Sequence, residues 1–213
     1  MDLSTPLWGG LLVGGASRRM GAPKQLLAIG GRPLGEIVAA ALAPHVEVLC
    51  LLGDGEVSPA LSALPRLADL PGVRGPLAGV LAALGARPGG GWLLAACDQP
   101  WLTAEAVAWL VARRGEGDLA VLPRRAPGRI EPFAGIYEAA AGPALQQIAR
   151  GRASLQELAG WQGVATPWLP PRWRPAWRGV NTQRELERAG GPDMLRPDDP
   201  SGRERGEGPA RTR

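Results

Sequence analysis

Four short apolar runs, at residues 8–13, 46–52, 92–96 and 119–122, alternate with stretches of helical composition at residues 35–43, 77–86 and 104–113. Apolar runs of this length without polar alternation read as strands covered on both faces. Strand and helix in repeated alternation predict an α/β fold: a Rossmann-like, doubly wound, mostly parallel sheet with helices on both faces. Right-handed crossovers in such a sheet bring ligands to the carboxyl ends of the strands, so the residues that follow strands are where chemistry is expected.

Three segments meet that condition. Residues 14–24 follow the first run, residues 69–79 follow a short strand expected around 66–68, and Cys97-Asp98-Gln99-Pro100 follow the run at 92–96. Thr103 is placed to cap a helix beginning at Ala104. Beyond Pro123 the pattern loosens: residues 129–137 read as an added strand or hairpin, 143–150 and 154–160 as short helices, and 164–168 as another strand. Residues 192–213 are rich in Pro, Gly and charge without apolar periodicity, which predicts a disordered tail behind one domain of residues 1–191.

A chain of 213 residues that is 45% hydrophobic can bury one ordinary core without staples. It shows no signal segment and no apolar run near the roughly 18 to 20 residues that cross a bilayer, so a cytoplasmic chain without membrane contact is expected. Cys50 and Cys97 each sit in an apolar run, as buried thiols do, and suggest neither a zinc site nor a disulfide framework. The net charge is +4. The five Arg and five acidic residues of 192–213 cancel, so the excess lies in the domain, which suits small anionic ligands. The arginines are scattered and no helix-turn-helix, zinc-finger or RNA-binding signature accompanies them, which argues against nucleic acid. Among the 24 basic residues Lys24 is the one lysine, and it stands in the glycine-rich segment, where a compact ammonium reaches differently from a planar guanidinium.

That segment is not a Walker A loop, because Lys24 follows Pro23 and precedes Gln25, and it is not a dinucleotide fingerprint. It offers backbone N–H groups that approach an anion closely, with Arg18, Arg19 and Lys24 to wrap a triphosphate. Alone it would read equally well as a surface turn with solvated arginines. The one histidine, His45, lies before a strand at the end away from the expected crevice, which disfavours a Ser/His/Asp mechanism.

The run Leu12-Val13-Gly14-Gly15-Ala16-Ser17-Arg18-Arg19-Met20-Gly21, with Lys24, resembles the signature loop of the nucleotidyltransferases typified by molybdenum cofactor guanylyltransferase. Asp69 followed by Gly75-Pro76-Leu77-Ala78-Gly79, then Cys97-Asp98-Gln99-Pro100, Gly151-Arg152-Ala153-Ser154-Leu155 and Asn181-Thr182 continue the resemblance in the family's order, over about residues 7–189. It implies a fold like that of the nucleotide-diphospho-sugar transferases. It places the backbone of Leu12, Val13, Gly14 and Gly15 near the base, Lys24 near the phosphates with Arg18 and Arg19 as further contacts, and Asp69 on the nucleotide. It makes Asp98 the ligand that holds Mg²⁺ against the α-phosphate, with Lys24 and Asp98 the catalytic pair. The implied reaction is in-line attack by the terminal phosphate of the molybdopterin cofactor on the α-phosphorus of GTP, releasing pyrophosphate. No protein nucleophile is needed; positioning and charge supply the catalysis. A molybdoenzyme or its chaperone would receive the product.

Some features depart from this pattern. The family often has a second asparagine where this chain has Gly179, and Asn181 reads either as a site residue favouring guanylyl transfer or, with Thr182, as a helix cap. Gly21-Ala22-Pro23-Lys24-Gln25-Leu26-Leu27 resembles cytidylyltransferase relatives whereas Gly14-Gly15 resembles the guanylyl branch, so a CTP-dependent cytidylyltransferase acting on molybdopterin or another small phosphorylated acceptor is the alternative. Residues 168–178 interleave three tryptophans with three arginines, suited to stacking a pterin or to a proline-stiffened connection packed on the core. Trp101 and Trp109 read as packing. A nucleotide-sugar glycosyltransferase would carry Asp-X-Asp after a strand, and Cys97-Asp98-Gln99 has one aspartate. A non-catalytic carrier would have no need of Lys24, Asp69 and Asp98 together.

Overall fold

The computed structural model describes residues 7–14, 21–151 and 154–190. Strand β1 (Leu7–Leu12) leads to a hairpin of β2 (Ala28–Ile29) and β3 (Arg32–Pro33), then α1 (Leu34–Leu42), β4 (Leu49–Leu52), β5 (Arg66–Leu67), α2 (Pro76–Ala86), β6 (Gly91–Ala96) and α3 (Ala104–Val111). The second half adds β7 (Ala120–Val121), a hairpin of β8 (Arg124–Ala126) and β9 (Arg129–Ile130), β10 (Gly135–Tyr137), α4 (Gly142–Arg150), β11 (Val164–Ala165) and α5 (Gln183–Ala189).

Seven strands form one sheet in the order β11-β7-β10-β6-β1-β4-β5. All neighbours are parallel except β10, which runs antiparallel to both β6 and β7. Alternate strand residues enter two separate cores, as the pleat requires. Leu7, Leu11, Leu51 and Leu93 pack with Val38 and Leu42 of α1 and Val107 and Leu110 of α3. Cys50, Leu52, Trp92 and Leu94 pack with Val80 and Leu84 of α2 and Leu145 and Ile148 of α4. The mostly parallel sheet with helices on both faces is therefore present, and its central strands are apolar throughout because both faces are covered.

The element bounds differ from the sequence pattern where hydrogen bonding is local. The run at 46–52 becomes a strand only at Leu49, although Glu47 N–H donates to Leu7 O (2.9 Å) and Gly9 N–H to Val48 O (2.8 Å), so pairing with β1 reaches further back. The expected strand at 164–168 stops at Ala165, two residues before Pro167, whose missing N–H cannot serve a ladder. Residues 129–137 resolve into β9, a turn and β10. Residues 154–160 form a 3₁₀ helix, Leu155–Gly160, closed by a capping box between Ser154 and Glu157. Thr103 caps α3, its hydroxyl accepting from Ala106 N–H. The tail expected at 192–213 lies outside the described residues, as do Gly15, Arg18 and Arg19. Among the described residues no helix is long and apolar enough to cross a membrane.

Candidate active site

A cleft of about 450 Å³ opens along the carboxyl edge of the sheet. Five consecutive strands each bring one residue to its wall: Asp69 beyond β5, Leu52 at the end of β4, Leu12 at the end of β1, Ala96 at the end of β6, and Phe133 just before β10. Gly14, Lys24, Cys97 and Asp98 line it from the loops, and Gly75 and Pro76 bring the amino end of α2 to it. Gly75 caps that helix with φ 69°, a left-handed conformation that glycine adopts without strain, and Pro76 supplies a first-turn residue with no N–H to satisfy. The positive end of the α2 dipole thus faces the cleft and favours an anion there.

Lys24 is fixed by its neighbours in sequence. Pro23 precedes a single 3₁₀ turn, Lys24–Leu26, and the buried Gln25 brackets that turn from beneath, its amide donating to Glu56 O (2.7 Å) while its carbonyl faces Cys97 Sγ (3.9 Å). Gly55 closes the same region by donating to Val13 O (2.7 Å); a side chain at Gly55 would collide with that carbonyl and with the Gln25 amide. From this base the Lys24 ammonium donates to Asp98 Oδ2 at 2.8 Å and to Asn181 Oδ1 at 2.7 Å. The Lys24 and Asp98 side chains are each 21% exposed, so the pair sits at the cleft mouth, partly shielded and open to a ligand.

Asp98 is held by its own backbone. Its carbonyl accepts from Val180 N–H (2.8 Å), tying the end of β6 to the lead-in of α5. Gln99, buried, folds back so that its Oε1 accepts from Ala96 N–H (3.2 Å) and its Nε2 donates to Phe133 O (3.2 Å). Asp69 is exposed as a residue, but its Oδ1 is partly shielded beside Gly53 and Gly79, where a Cβ on either glycine would come within 3.7 and 3.4 Å of it. That burial, followed by the charge of Asp54, raises its carboxyl above the ordinary carboxylate range. Burial pushes the Cys97 thiol up to about 12, with Asp98 adding to the rise and Lys24 opposing it.

The structure brings Leu12, Gly14, Lys24, Asp69 and Asp98 to one cleft. Val13 is at 0% exposure, and its N–H donates to Leu52 O while its carbonyl is taken by Gly55, so it anchors Gly14. Of the late pair, Thr182 is the helix cap, in a capping box with Glu185, which frees Asn181 to meet Lys24. Gln25, part of the cytidylyl-like run, is a buried bracket. Of the tryptophans at 168–178, Trp177 is in the core with its Nε1 on Ala134 O, Trp173 is packed partly against the same core, and Trp168 lies beyond β11 under Arg124; none lines this cleft. Trp109 packs edge-on against Trp177 and Trp101 beside α5. His45 is spent on Ala104 O at 2.8 Å and lies outside the cleft wall. Phe133 went unmarked in the sequence, because only its register with β6 reveals it.

Comparison with known proteins gives the family of the chain. The description "MobA-like NTP transferase domain" matches residues 9–165. A molybdenum cofactor guanylyltransferase from Cereibacter sphaeroides is 37% identical over 193 residues, covering 86% of this chain and 95% of that protein. A molybdenum cofactor biosynthesis bifunctional protein from Synechocystis is 36% identical over 137 residues, which are 62% of this chain and 39% of that longer protein. The crystal structure of molybdopterin-guanine dinucleotide biosynthesis protein A from Archaeoglobus fulgidus superposes with a TM-score of 0.71 at 24% identity, covering 86% of this chain and 97% of that one. A family match across most of the chain, together with near full-length similarity, places this protein among the nucleotidyltransferases, as a member of the MobA-like NTP transferase domain family.

Proposed function

We propose that this chain transfers GMP from GTP to the terminal phosphate of the molybdopterin cofactor, giving the guanine dinucleotide form and pyrophosphate. The observation that carries the reading is the Lys24 ammonium held between Asp98 and Asn181 at the mouth of the cleft. In the reaction an acceptor phosphate oxygen bonds to the α-phosphorus as the bond to the β-phosphate oxygen breaks. Negative charge grows on the leaving pyrophosphate, and a fixed ammonium is the group that stabilises it without reorganising. Leu12, Gly14 and Asp69 would receive the nucleoside, and Arg18 and Arg19 are proposed as further phosphate contacts.

The donor set fits Mg²⁺. Asp98 presents one carboxylate at the cleft mouth, and one carboxylate suffices for an ion that takes the rest of its shell from substrate phosphates and water. Bound there, Mg²⁺ would neutralise phosphate charge and orient the α-phosphate. The similarity to molybdenum cofactor guanylyltransferases favours GTP over CTP, and within the cytidylyl-like run Gln25 is buried and bonded to Glu56 O. In this reading the reaction would run in the cytoplasm, and a molybdoenzyme or its chaperone would receive the product.

The test is pyrophosphate release from GTP, CTP, ATP and UTP in turn, with Mg²⁺ and purified molybdopterin, against a control without acceptor. Acceptor-dependent release from GTP supports the proposal; release from CTP in its place, or silence with all four nucleotides, rejects it.

A further inference from the structure

Phe133 is the one phenylalanine of the chain, and it stands on the cleft wall. Continuing the antiparallel pairing of Gly135 with Leu94 by two residues sets it opposite Ala96, on the far side of β6 from β1. The backbone around it is clamped. Tyr137 Oη donates to Pro132 O (2.8 Å), Gln99 Nε2 to Phe133 O (3.2 Å) and Trp177 Nε1 to Ala134 O (2.8 Å). Three consecutive carbonyls each receive a side-chain donor from a different segment. Ala134, at 0% exposure, has φ 51°, a left-handed conformation that a residue with a Cβ adopts at a cost. Such strain persists only where the surroundings over-determine it, and here they fix the backbone from which the Phe133 side chain leaves.

The cleft differs from end to end. Asp69, Gly14 and the amino end of α2 offer polar groups and open backbone at one end, and Lys24 with Asp98 offers charge toward the other. Phe133, beyond Asp98, offers an apolar face that is packed in part against the α2-side core and open in part to the cleft. A nucleoside triphosphate has use for the first two regions. The third matches the flat, fused-ring body that an acceptor carries behind its phosphate, because an aromatic ring stacks on a planar heterocycle with little need of polar partners.

Resting on the transfer reading above, we propose that Phe133 is the specificity-determining residue for the acceptor, stacking on its fused heterocycle, and that the clamp at residues 132–134 holds the ring at the angle stacking requires. The test uses the full chain with two variants. Phe133→Leu keeps apolar bulk and loses the flat face, whereas Phe133→Tyr keeps the face. Pyrophosphate release is followed while GTP and molybdopterin are varied in turn, and GTP binding is titrated without acceptor. Phe133→Leu is expected to raise the acceptor KM about fivefold or more, the loss of one stacking contact. Its GTP affinity should stay within about twofold of wild type, and Phe133→Tyr should stay within about twofold on both measures. An unchanged acceptor KM in Phe133→Leu, or acceptor KM and GTP affinity worsening together in both variants, overturns the assignment while wild-type turnover keeps the transfer reading intact. Silence of the wild type itself overturns the transfer reading, and the assignment falls with it.

Discussion

The Lys24 ammonium stands 2.8 Å from the Asp98 carboxylate although 74 residues separate them in the chain. The sheet makes the meeting: β1 and β6 are parallel neighbours, registered so that Leu12 pairs with Ala96, and each residue lies in the loop beyond its strand. Asn181 joins them from the lead-in to α5, because Asp98 O holds Val180 N–H. The charge pair is thus a consequence of topology, and it meets the amino end of α2 across the cleft.

A compact ammonium reaches two acceptors here that a planar guanidinium cannot copy. Lys24→Ala is expected to lower kcat/KM for transfer by roughly 10²–10³, the scale of removing one preorganised donor, and Lys24→Arg by at least about tenfold. Asp98→Ala should abolish transfer while circular dichroism and the melting temperature hold. Full activity in Lys24→Arg would make the lone lysine incidental and remove the pair from the mechanism.

Asn181 and Thr182 are adjacent in sequence and separate in role. Thr182→Ala breaks the capping box of α5 and should cost about 1 kcal/mol of stability with transfer preserved. Asn181→Ala should leave stability near wild type and lower kcat roughly tenfold, the value of about 1.5 kcal/mol for one hydrogen bond to a charged group. Denaturant midpoints set beside turnover separate the two; equal loss of both quantities in both variants would contradict this division.

The contrast between these two neighbours shows where sequence is informative. The central strands were legible because burial on both faces makes β1, β4 and β6 continuously apolar, and Lys24 stood out against a background of arginine. Asn181 was ambiguous because a cap and a site residue share the same chemistry, and only the docking of α5 near β6 brings its side chain to Lys24. The run at residues 21–27 clouded base choice, and within it Gln25 is a buried bracket, a role set by Glu56 and Cys97 far along the chain. Phe133 and the left-handed Ala134 gave no sign at all, since their meaning depends on an antiparallel strand only three residues long.

Asp69 supplies a pH signature. Burial and the Asp54 charge raise its folded pKa above the ordinary 3.8, so the protonated form is favoured by folding. Its stabilising contribution is complete below that ordinary value and is lost as pH rises through the folded one, which leaves the ionised group mildly unfavourable at neutral pH. Asp69→Asn should therefore match or slightly exceed wild-type stability at pH 7 and bind GTP roughly tenfold more weakly. GTP affinity of the wild type should decline on acidification through the raised pKa, and that decline should be absent from the variant. Matching pH profiles in the two proteins would exclude Asp69 from the nucleotide site.

Cys97 lines the cleft wall and yet should take no part in chemistry. With its thiol pushed up from 9.0 to about 12, it is neutral and poorly nucleophilic at physiological pH. Native protein should resist a thiol-specific disulfide reagent at pH 8 and react once unfolded, and Cys97→Ser should retain transfer. Because the folded pKa is raised, the associated stability is present below about pH 9 and is lost as pH climbs toward 12. Fast labelling of the folded chain would show that burial does not protect the sulfur.

Gln99 connects both halves of the site, so its replacement tests whether Asp98 and Phe133 are held by one device. Gln99→Leu keeps comparable volume and strands two partly buried groups, Ala96 N–H and Phe133 O, whose hydrogen bonds it made. Leaving buried polar groups unpaired costs about 1–3 kcal/mol each, so a loss of about 2–4 kcal/mol in urea unfolding is expected, with the two costs partly sharing one relaxation. Transfer should fall further than stability alone explains, because the Asp98 loop and the Phe133 turn loosen together while Gly14 and Asp69, across β1 and β5, keep their places. GTP binding that survives beside a raised acceptor KM is the expected pattern. A variant that loses GTP affinity and acceptor recognition in proportion would mean that Gln99 supports the sheet edge as a whole and singles out neither residue.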